Sequence, residues 1–345
     1  MSEHITPLHQ LCDGDEGDFF ALLSEKQLLS TRDGKPYHRV TFRDAKREVS
    51  FPIWSDAPLA KECRELWQAG QFFKLRAGYR ETNYGPQLDI VRIRPVTDSD
   101  CDDGFDPMMC APRSRFDFQQ MFDELMAIAE EAICDPPLRQ LVTGLYHRHH
   151  QQLLTLPAAR VNHHAYLGGY LEHVLNVTRH TYFLAQKYQQ LYADLRPPVS
   201  IELAVAGALL HDIGKLRELS TGPAGAEYTP SGTLVGHILQ GRDILREAAA
   251  ETEIDPEVLL RLEHIIISHQ RLPEWGSPKP PMFPEALIIH HADDLDAKLQ
   301  MMAQAIESHS GDDPFTTRRN PLHQAVYRGP LPAEEPEEEP FRLNP

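Results

Sequence analysis

Residues 209–215 read LLHDIGK, and this stretch decides the fold of the chain. His211 and Asp212 stand at the end of an apolar helical segment, residues 201–210. Adjacent residues on a helix point about 100° apart, so these two side chains can bind one ion only near the helix end. Imidazole and carboxylate together suit Mn, Fe, Zn or Mg. Taken alone, the pair is equally explained by a helix that stops at the following glycine, with a lysine near its negative end.

Further candidate metal ligands lie in apolar, helix-like segments on either side of this stretch. The chain has 18 histidines, and a solvated histidine is not expected inside such segments. Any one of these residues alone is more often an ordinary core or surface side chain. Their order on successive helices is much harder to obtain by chance, and the whole set is His173, His211, Asp212, His237, His269 and Asp293.

Length and composition bound the class of protein. A chain of 345 residues with 41% hydrophobic and 25% charged residues predicts a globular protein of two domains. No apolar run is long enough to span a membrane, and the N-terminus lacks the pattern of a signal peptide. The five cysteines form no CxxC pair. They predict reduced thiols in a cytoplasmic protein that does not associate with membranes.

The net charge of −17 is unevenly distributed along the chain. Glutamates among prolines near the C-terminus predict a weakly structured acidic tail, residues 309–345. Between Phe19 and Thr97, by contrast, 14 Lys and Arg face 9 Asp and Glu. A metal-binding site for phosphates is itself expected to be rich in carboxylates, because the ion supplies the positive charge. The total charge therefore does not exclude a nucleic-acid partner.

The basic N-terminal part has the rhythm of a small β-barrel. Alternating apolar residues and turn signals predict five strands with a helix, residues 59–69, between the third and the fourth. The predicted strands are residues 19–23, 39–43, 48–54, 72–77 and 88–94. This is the plan of the OB-fold, which commonly binds single-stranded nucleic acid. We therefore predict an OB-fold domain over residues 1–97.

Aromatic and basic residues alternate in this barrel. Phe42 and Tyr84 could stack on bases, and Arg76 and Arg80 could contact the backbone of a single strand. The alternative is that Phe42 belongs to the barrel core and that the basic residues form a solvated face. The sequence does not decide between the two.

From Phe116 onward the hydrophobic pattern becomes helical. Residues 98–112 are acidic and aperiodic and predict a linker, and residues 113–308 predict an all-α bundle. The helical segments are residues 118–133, 137–154, 168–191, 201–211, 234–250, 256–269 and 284–307. The fold class is therefore multidomain α+β, with a five-stranded OB-fold barrel followed by a helical bundle.

The ligand order resembles that of the HD superfamily of metal-dependent phosphohydrolases. Together with the barrel, the runs NHHAYLGG (162–169), EWGSPKPP (274–281) and DDLDAKL (293–299) are similar to the YhaM-type 3′–5′ exoribonuclease family. The resemblance covers roughly residues 15–305. It implies an N-terminal OB-fold and a manganese-dependent HD domain that trims RNA, and single-stranded DNA too, from the 3′ end. One departure is His269-Gln270, where the family tends to show two histidines.

The candidate metal ligands divide into two groups. His173, His211, Asp212 and Asp293 would hold a first ion, and His237 and His269 would complete a second position bridged by Asp212. One or two ions are expected, with Mn²⁺ first and Fe, Mg, Zn or Co as alternatives. Two such ions can generate hydroxide near neutral pH and bind both the attacking and the leaving oxygen of a phosphodiester. Asp212 and Lys215 are the predicted catalytic residues, the lysine meeting a phosphate oxygen unless it is only a helix-end cation.

Four further residues are candidate substrate contacts. His163 and His164 precede the first ligand helix and could contact a phosphate or a ribose, and an ordinary structural role explains them equally well. Glu274 and Trp275 would belong to a substrate-side loop, with the indole stacking on the terminal base. The alternative for Trp275 is ordinary packing of a proline-rich loop.

The predicted function is a metal-dependent 3′–5′ exonuclease acting on single-stranded RNA or DNA. One alternative is an HD phosphohydrolase for free nucleotides, in which the barrel serves regulation or assembly. Another is an inactive single-strand-binding factor. The intact His-Asp-x-Gly-Lys run argues against an inactive binding factor, and the basic barrel argues against an enzyme for free nucleotides. Assembly into a homo-oligomer stays open.

Overall fold

The computed structural model describes residues 5–31, 33–82, 85–222, 225–309 and 313–329. Tyr84, a predicted substrate contact, and the acidic part of the predicted tail lie outside these ranges. Within them, no helix is long and apolar enough to cross a membrane.

Five antiparallel strands form the N-terminal barrel, in the sheet order β3-β2-β1-β4-β5. The long first strand pairs with β4 through its first half and with β2 through its second half. Because β3 also contacts β5, the sheet closes on itself. The elements are β1 (Glu16–Ser30), β2 (Pro36–Arg43), β3 (Glu48–Trp54), helix α1 (Ala60–Glu65), β4 (Phe72–Thr82) and β5 (Gly85–Pro95). This is the OB-fold arrangement, so the predicted fold of this domain is confirmed.

Aromatic side chains fill the barrel, and Phe42 is one of them. Its side chain is fully buried. Its ring centroid lies 5.8 Å from that of Phe73 and 5.9 Å from that of Trp67. A ring without exposed surface cannot stack on a base, so the prediction that Phe42 contacts substrate is wrong. Trp54, at the end of β3, is instead 47% exposed and lies 5.0 Å from the ring of Tyr37.

The segment predicted as a linker, residues 98–112, lies against the barrel. The Phe105 ring is 5.0 Å from that of Phe20. The Asp100 carboxylate accepts hydrogen bonds of 2.6 and 2.7 Å from the Arg94 guanidinium, which holds the pKa of this carboxyl well below its usual range. The acidic residues that suggested a free linker therefore pair with cations of the barrel.

The second domain is built from helices, several of which begin at a capping aspartate. Asp117, Asp135 and Asp255 each accept a hydrogen bond from a backbone N–H of the following first turn. The helices are α2 (Phe118–Ala132), α3 (Pro136–Arg148), α4 (His150–Thr155), α5 (Gly169–Leu191), α6 (Ile201–Leu210), α7 (Lys215–Glu218), α8 (Pro230–Val235), α9 (His237–Ala249), α10 (Pro256–Ser268) and α11 (Pro284–Glu307).

Helix α6 lies at the centre of this domain. Every residue from Leu203 to Leu210 is buried, and the helix contacts α2, α3, α5, α10 and α11. A helix that is apolar all round is expected in the interior of a domain. Its C-terminal end therefore carries the next two residues, His211 and Asp212, into the protein interior.

A two-stranded hairpin interrupts the helices, which the sequence did not predict. Its strands are β6 (Leu219–Gly222) and β7 (Gly225–Tyr228). Each has four residues and no clear apolar alternation, so periodicity cannot detect it. The hairpin leaves from Glu218 and returns at Thr229, whose N–H donates to the Glu218 carbonyl at 2.9 Å. Both of its ends are thereby fixed beside the same residue.

Candidate metal centre and substrate cleft

The six predicted metal ligands come from five helices and meet at one place. His173 lies within α5 and Asp293 within α11, and His237 is the first residue of α9. The pair His211–Asp212 directly follows α6, and His269 directly follows α10. Their side chains are between 0% and 14% exposed. A cluster of this kind in the interior needs either internal pairing or a bound cation.

One half of the centre is formed by His173, His211 and Asp212. The Nε2 atoms of the two histidines lie 3.5 Å from Asp212 Oδ2 and 3.4 Å from each other. Asp293 borders the same space, with Oδ1 at 3.2 Å from His173 Nε2 and 4.0 Å from His211 Nε2. Two nitrogen and two oxygen donors thus surround one small volume.

The other half is formed by Asp212, His237 and His269. The Nε2 atoms of these histidines lie 3.4 and 3.6 Å from Asp212 Oδ1. The two oxygens of Asp212 are therefore divided between two pairs of imidazoles. This arrangement would allow the carboxylate to bridge two ions.

Each of the four imidazoles is oriented by a hydrogen bond at Nδ1. The acceptors for His173, His211, His237 and His269 are, in that order, the Asp296 carboxylate (2.7 Å), the Ala208 carbonyl (2.7 Å), the Glu218 carboxylate (3.0 Å) and the Ile266 carbonyl (2.8 Å). Because an oxygen of this kind accepts, Nδ1 carries the proton. Each Nε2 then faces Asp212 and is the ring nitrogen available to a metal, as in metal-binding histidines.

The donor set fits a divalent metal. Asp212 Oδ1 and His269 Nε2 are buried and have no hydrogen-bond partner among the residues that the structure describes. Buried polar atoms normally have one. Donors at about 2.0–2.2 Å from one ion lie roughly 3.0–3.4 Å from each other, close to the separations found here. Mixed imidazole and carboxylate donors suit a borderline divalent cation.

The ionisation of the centre also favours a cation. Burial opposes the charge on Asp212, yet Lys215 and His211 hold the pKa of its carboxyl well below the usual range. Burial likewise disfavours a charged His173, but hydrogen bonds to Asp293 and Asp296 raise its pKa to about 9. Burial lowers the pKa of His211 to about 4, which leaves this imidazole neutral. The carboxylates therefore stabilise positive charge at the centre, and an ion that binds there would displace the proton of His173.

Gly214 explains why the two halves of the centre can approach each other. A Cβ at this position would lie 1.9 Å from the His237 carbonyl oxygen and 2.5 Å from the Gly241 nitrogen. Only glycine lets the turn after α6 pack directly against the start of α9. The glycine of the His-Asp-x-Gly-Lys run is thus required to place His237 beside Asp212.

Lys215, predicted to meet a phosphate, lies beside the centre. Its Nζ is 2.5 Å from Asp212 Oδ2, and its side chain is buried. It also lines the large cleft that opens at the centre. The structure therefore brings Lys215 next to the Asp212 carboxylate.

The two adjacent histidines have different surroundings. His163 lines the cleft, and its buried Nε2 has no partner within the described ranges of the chain. Burial lowers the pKa of His163 to about 3, so it is neutral. His164 is buried, with Nδ1 2.8 Å from the Tyr166 hydroxyl and Nε2 2.9 Å from Asp296 Oδ2. Both of its ring nitrogens are occupied, which contradicts the predicted substrate contact for His164.

The contacts of His164 belong to a hydrogen-bonded series that ends at a candidate ligand. Ser114 Oγ donates to Glu172 Oε2 at 2.7 Å, and the Tyr166 hydroxyl donates to the same oxygen at 3.0 Å. His164 then connects Tyr166 to the Asp296 carboxylate, which accepts from His173. His164 therefore acts as a support for His173 and not as a surface residue.

Sequence reasoning missed Asp296 and Glu218, which orient His173 and His237. A signal existed for Asp296, because it lies three residues after Asp293 and so on the same helical face. Glu218 carried no signal, since it meets His237 only through the hairpin that the sequence did not predict. Its Oε1 accepts both from the His237 backbone N–H at 2.9 Å and from the ring.

Glu218→Gln is expected to weaken metal binding at the second half of the centre. The amide keeps the shape but loses the charged acceptor that holds the His237 ring, and such outer ligands are worth about 10–100-fold in metal affinity. Metal titration should show this loss, while Glu227→Gln, an exposed control on the same hairpin, should titrate like the unaltered protein. Equal metal affinity in both variants would contradict the role of Glu218.

A cleft of about 910 Å³ opens at the centre. Trp275 and Glu274 line it, and the indole is 49% exposed with Lys298 Nζ 5.8 Å from its ring. Their contact with a substrate stays a prediction. Residues 321–323 form another part of the wall. They belong to the predicted tail, where Phe315 and Tyr327 form an isolated bridge.

Gln270 stands where a second histidine was expected. Its Nε2 is 3.3 Å from His237 Nε2, and the residue lines the cleft. The amide is therefore beside the second half of the centre without being one of its imidazoles.

The basic residues of the barrel have acidic partners. Arg76 lies 2.7 Å from Glu16 and 3.1 Å from Asp18, and Arg80 forms an ion pair with Asp89. A predicted contact to the backbone of a strand would have to compete with these carboxylates. The basic bias of the N-terminal sequence is thus largely compensated in the fold.

A buried His/Asp centre in a helical domain is the mark of a metal-dependent phosphohydrolase, and the family model for the HD domain matches residues 170–298. The 3′–5′ exoribonuclease YhaM of Bacillus subtilis is 33% identical to this chain over 301 residues, which are 87% of this chain and 90% of that protein. YhaM of Bacillus licheniformis is 33% identical over 304 residues, with the same two coverages. The chain belongs to the YhaM family of 3′–5′ exoribonucleases.

The barrel is similar in a more limited way to a solved structure. The second OB-fold domain of replication protein A from Methanococcus maripaludis matches 28% of this chain and 98% of its own length, with 15% identity and a TM-score of 0.22. The strand order identifies the barrel independently of this likeness.

Proposed function

We propose that the chain is a metal-dependent exonuclease that hydrolyses single-stranded RNA from its 3′ end. One observation carries the proposal: four imidazole Nε2 atoms surround the two oxygens of the buried Asp212 carboxylate beside a large cleft. The activity in the names of the two Bacillus relatives agrees with it.

In this proposal His173, His211, Asp212 and Asp293 hold one ion, and His237 and His269 share Asp212 to hold a second. Mn²⁺ is the proposed ion, because a mixed set of imidazole and carboxylate donors suits a borderline divalent cation. When bound, such ions activate a water molecule and offset the charge of a phosphodiester. The protein contributes the Nδ1 hydrogen bonds, which fix the four rings with Nε2 on the side of Asp212, where these nitrogens would hold the ions.

The remaining residues of the cleft would bind and orient the substrate. Lys215 keeps its ammonium beside Asp212, where it can answer the charge of a phosphate oxygen. The neutral His163 offers an unpartnered Nε2 to a ribose or phosphate group. Trp275 offers an exposed ring face to the terminal base, and Glu274 lies next to it in the same turn.

The β2–β3 face of the barrel is the proposed path for the rest of the strand. This face is the usual nucleic-acid surface of OB-folds. Trp54 and Tyr37 are paired across the two strands, and the exposed Arg39 lies on the same face. Arg39 forms no ion pair with any carboxylate in the part of the chain that the structure describes. Aromatic rings next to an unpaired cation suit sequence-tolerant binding of a single strand.

Trp54→Ala is expected to reduce RNA affinity, whereas Phe42→Ala is expected to reduce the stability of the barrel. Loss of the exposed indole should weaken binding of single-stranded RNA by roughly 5–150-fold, because stacking is worth about 1–3 kcal/mol per base. Loss of the buried ring should destabilise the barrel by about 3–5 kcal/mol and leave the affinity of the folded protein unchanged. Anisotropy titrations and thermal melting separate the two effects. Unaltered RNA affinity in Trp54→Ala would rule out this face.

The proposed activity is tested with purified protein, Mn²⁺ and a 5′-labelled single-stranded RNA. Shortening of the labelled strand by one nucleotide at a time from the 3′ end is the expected result, with single-stranded DNA and free nucleotides in parallel. Chelation should stop the reaction. Hydrolysis of free nucleotides with the RNA left intact would contradict the proposal and favour a nucleotide phosphohydrolase.

A further inference from the structure

The cleft is larger than the terminal nucleotide alone requires. Its volume of about 910 Å³ is near the upper end of the roughly 300–1,000 Å³ of small-ligand pockets. Part of its wall is formed by Arg160, in the loop before α5, and by Tyr228, at the end of the hairpin. Neither residue takes part in the centre described above.

Arg160 differs from the other cations of this cleft. Lys215 is paired with Asp212 at 2.5 Å, and Lys298 with Asp294 at 2.7 Å. Arg160 is exposed and has no carboxylate partner among the residues with described positions. A guanidinium in this state can form two parallel hydrogen bonds to the oxygens of a phosphate.

Tyr228 supplies an aromatic face next to this cation. Its side chain is 49% exposed, and the Arg160 guanidinium carbon lies 6.0 Å from its ring centroid. This is the outer limit for a cation–π contact, so the two side chains are neighbours without being locked together. An exposed ring beside an unpaired cation provides one stacking surface and one phosphate contact.

The hairpin places this pair beside the second half of the metal centre. Tyr228 is the register partner of Leu219, which follows Glu218, and Glu218 holds the ring of His237. Thr229 Oγ1 also donates to the Arg217 carbonyl at 2.8 Å. Tyr228 is thus held close to Glu218, the residue whose carboxylate orients His237.

We infer that Arg160 and Tyr228 form a second nucleotide subsite of the cleft, in which the guanidinium binds a backbone phosphate and the phenol ring stacks on the adjoining base. The ligand is a nucleotide within a single strand, distinct from the terminal nucleotide assigned to Trp275. This inference rests on the proposed function, because it assigns the cleft to a nucleic-acid strand.

The test is a binding measurement in which no cleavage occurs. Fluorescence anisotropy of a short 5′-labelled single-stranded RNA is followed with Asp212→Asn protein as the parent, and with wild-type protein in excess chelator as a second parent. Arg160→Ala should weaken binding about tenfold and lower the dependence of log affinity on log salt by about 0.7, one phosphate contact to a single strand. Tyr228→Ala should weaken binding to a similar extent, and Tyr228→Phe should retain it. Lys187→Ala removes an exposed charge on α5 as the control and should bind like the parent.

Affinity within about twofold of the parent in both alanine variants, with unaltered melting temperatures, would overturn the subsite. So would an equal loss in Arg160→Ala and Lys187→Ala, which would indicate only a general effect of charge. A wild-type protein that degrades RNA while Arg160→Ala binds normally contradicts this inference and leaves the proposed function standing. If binding depends on Arg160 in a protein that degrades no RNA, the subsite is supported and the proposed function is contradicted.

Discussion

Asp212→Asn is expected to abolish hydrolysis and to remove both ions. Among the residues that the structure describes, Asp212 is the one carboxylate near all four imidazoles, with each oxygen facing two of them. The amide keeps the shape but cannot bind two cations. Since bound metal supplies several kcal/mol to phosphodiester hydrolysis, the rate should fall at least about a thousandfold. The measurement is the rate on labelled single-stranded RNA together with the metal content of the purified variant.

The matched control for this variant is Asp194→Asn, which changes an exposed carboxylate outside the cleft. It should retain full activity. Thermal melting shows whether Asp212→Asn keeps its fold, because the substitution also removes the partner of Lys215. A folded Asp212→Asn protein with appreciable Mn²⁺-dependent activity would refute the proposed centre.

His173→Ala and His237→Ala are expected to differ in the number of ions that they lose. In the proposed centre His237 is one of three ligands of the second position, so its removal should leave one ion bound with most activity lost. His173 is a proposed ligand of the first position and also donates to Asp296 and faces Asp293. Its removal takes away the hydrogen bonds that His173 makes to Asp293 and Asp296 at the core of the centre, and both ions should be lost.

Metal analysis of the purified variants measures this difference. His180→Ala, on the exposed side of α5, is the control and should bind as much metal as the unaltered protein. Equal metal content in His173→Ala and His237→Ala would contradict the division of ligands into two positions.

The sequence predicted the architecture and the group of metal-ligand candidates because both depend on patterns along the chain. Strand alternation in the barrel and the 3.6-residue period of the long helices are local properties. The candidate ligands stand out because histidine and aspartate interrupt apolar helices at His173, His211 and His269. Wherever the surrounding helix is buried, such a residue must point into the same interior.

Other features depend on contacts that no local pattern records. Phe42 stands among basic residues in the sequence, as an exposed stacking residue would. In the closed barrel, however, its side chain points into the core. Arg76 and Arg80 look like free cations until β1 and β5 bring Glu16, Asp18 and Asp89 beside them. The two strands of the hairpin are short and show no apolar alternation. The sequence therefore predicted neither the hairpin nor the role of Glu218.

The positions of the acidic residues in the fold explain why a net charge of −17 does not exclude a polyanionic substrate. Carboxylates of the segment after the barrel pair with barrel cations, and carboxylates of the helical domain surround the metal centre. In a site of this kind, acidic residues would bind metal cations, and the cations would in turn bind the phosphate groups of a substrate. An acidic protein with a mildly basic barrel is therefore compatible with a polyanionic substrate.

Anomalous diffraction from crystals grown with Mn²⁺ tests the central claim most directly. Two peaks are expected, both in contact with the carboxylate of Asp212. One should lie among His173, His211 and Asp293, and the other between His237 and His269. A single peak, or peaks that do not touch Asp212, would contradict the proposed two-ion centre.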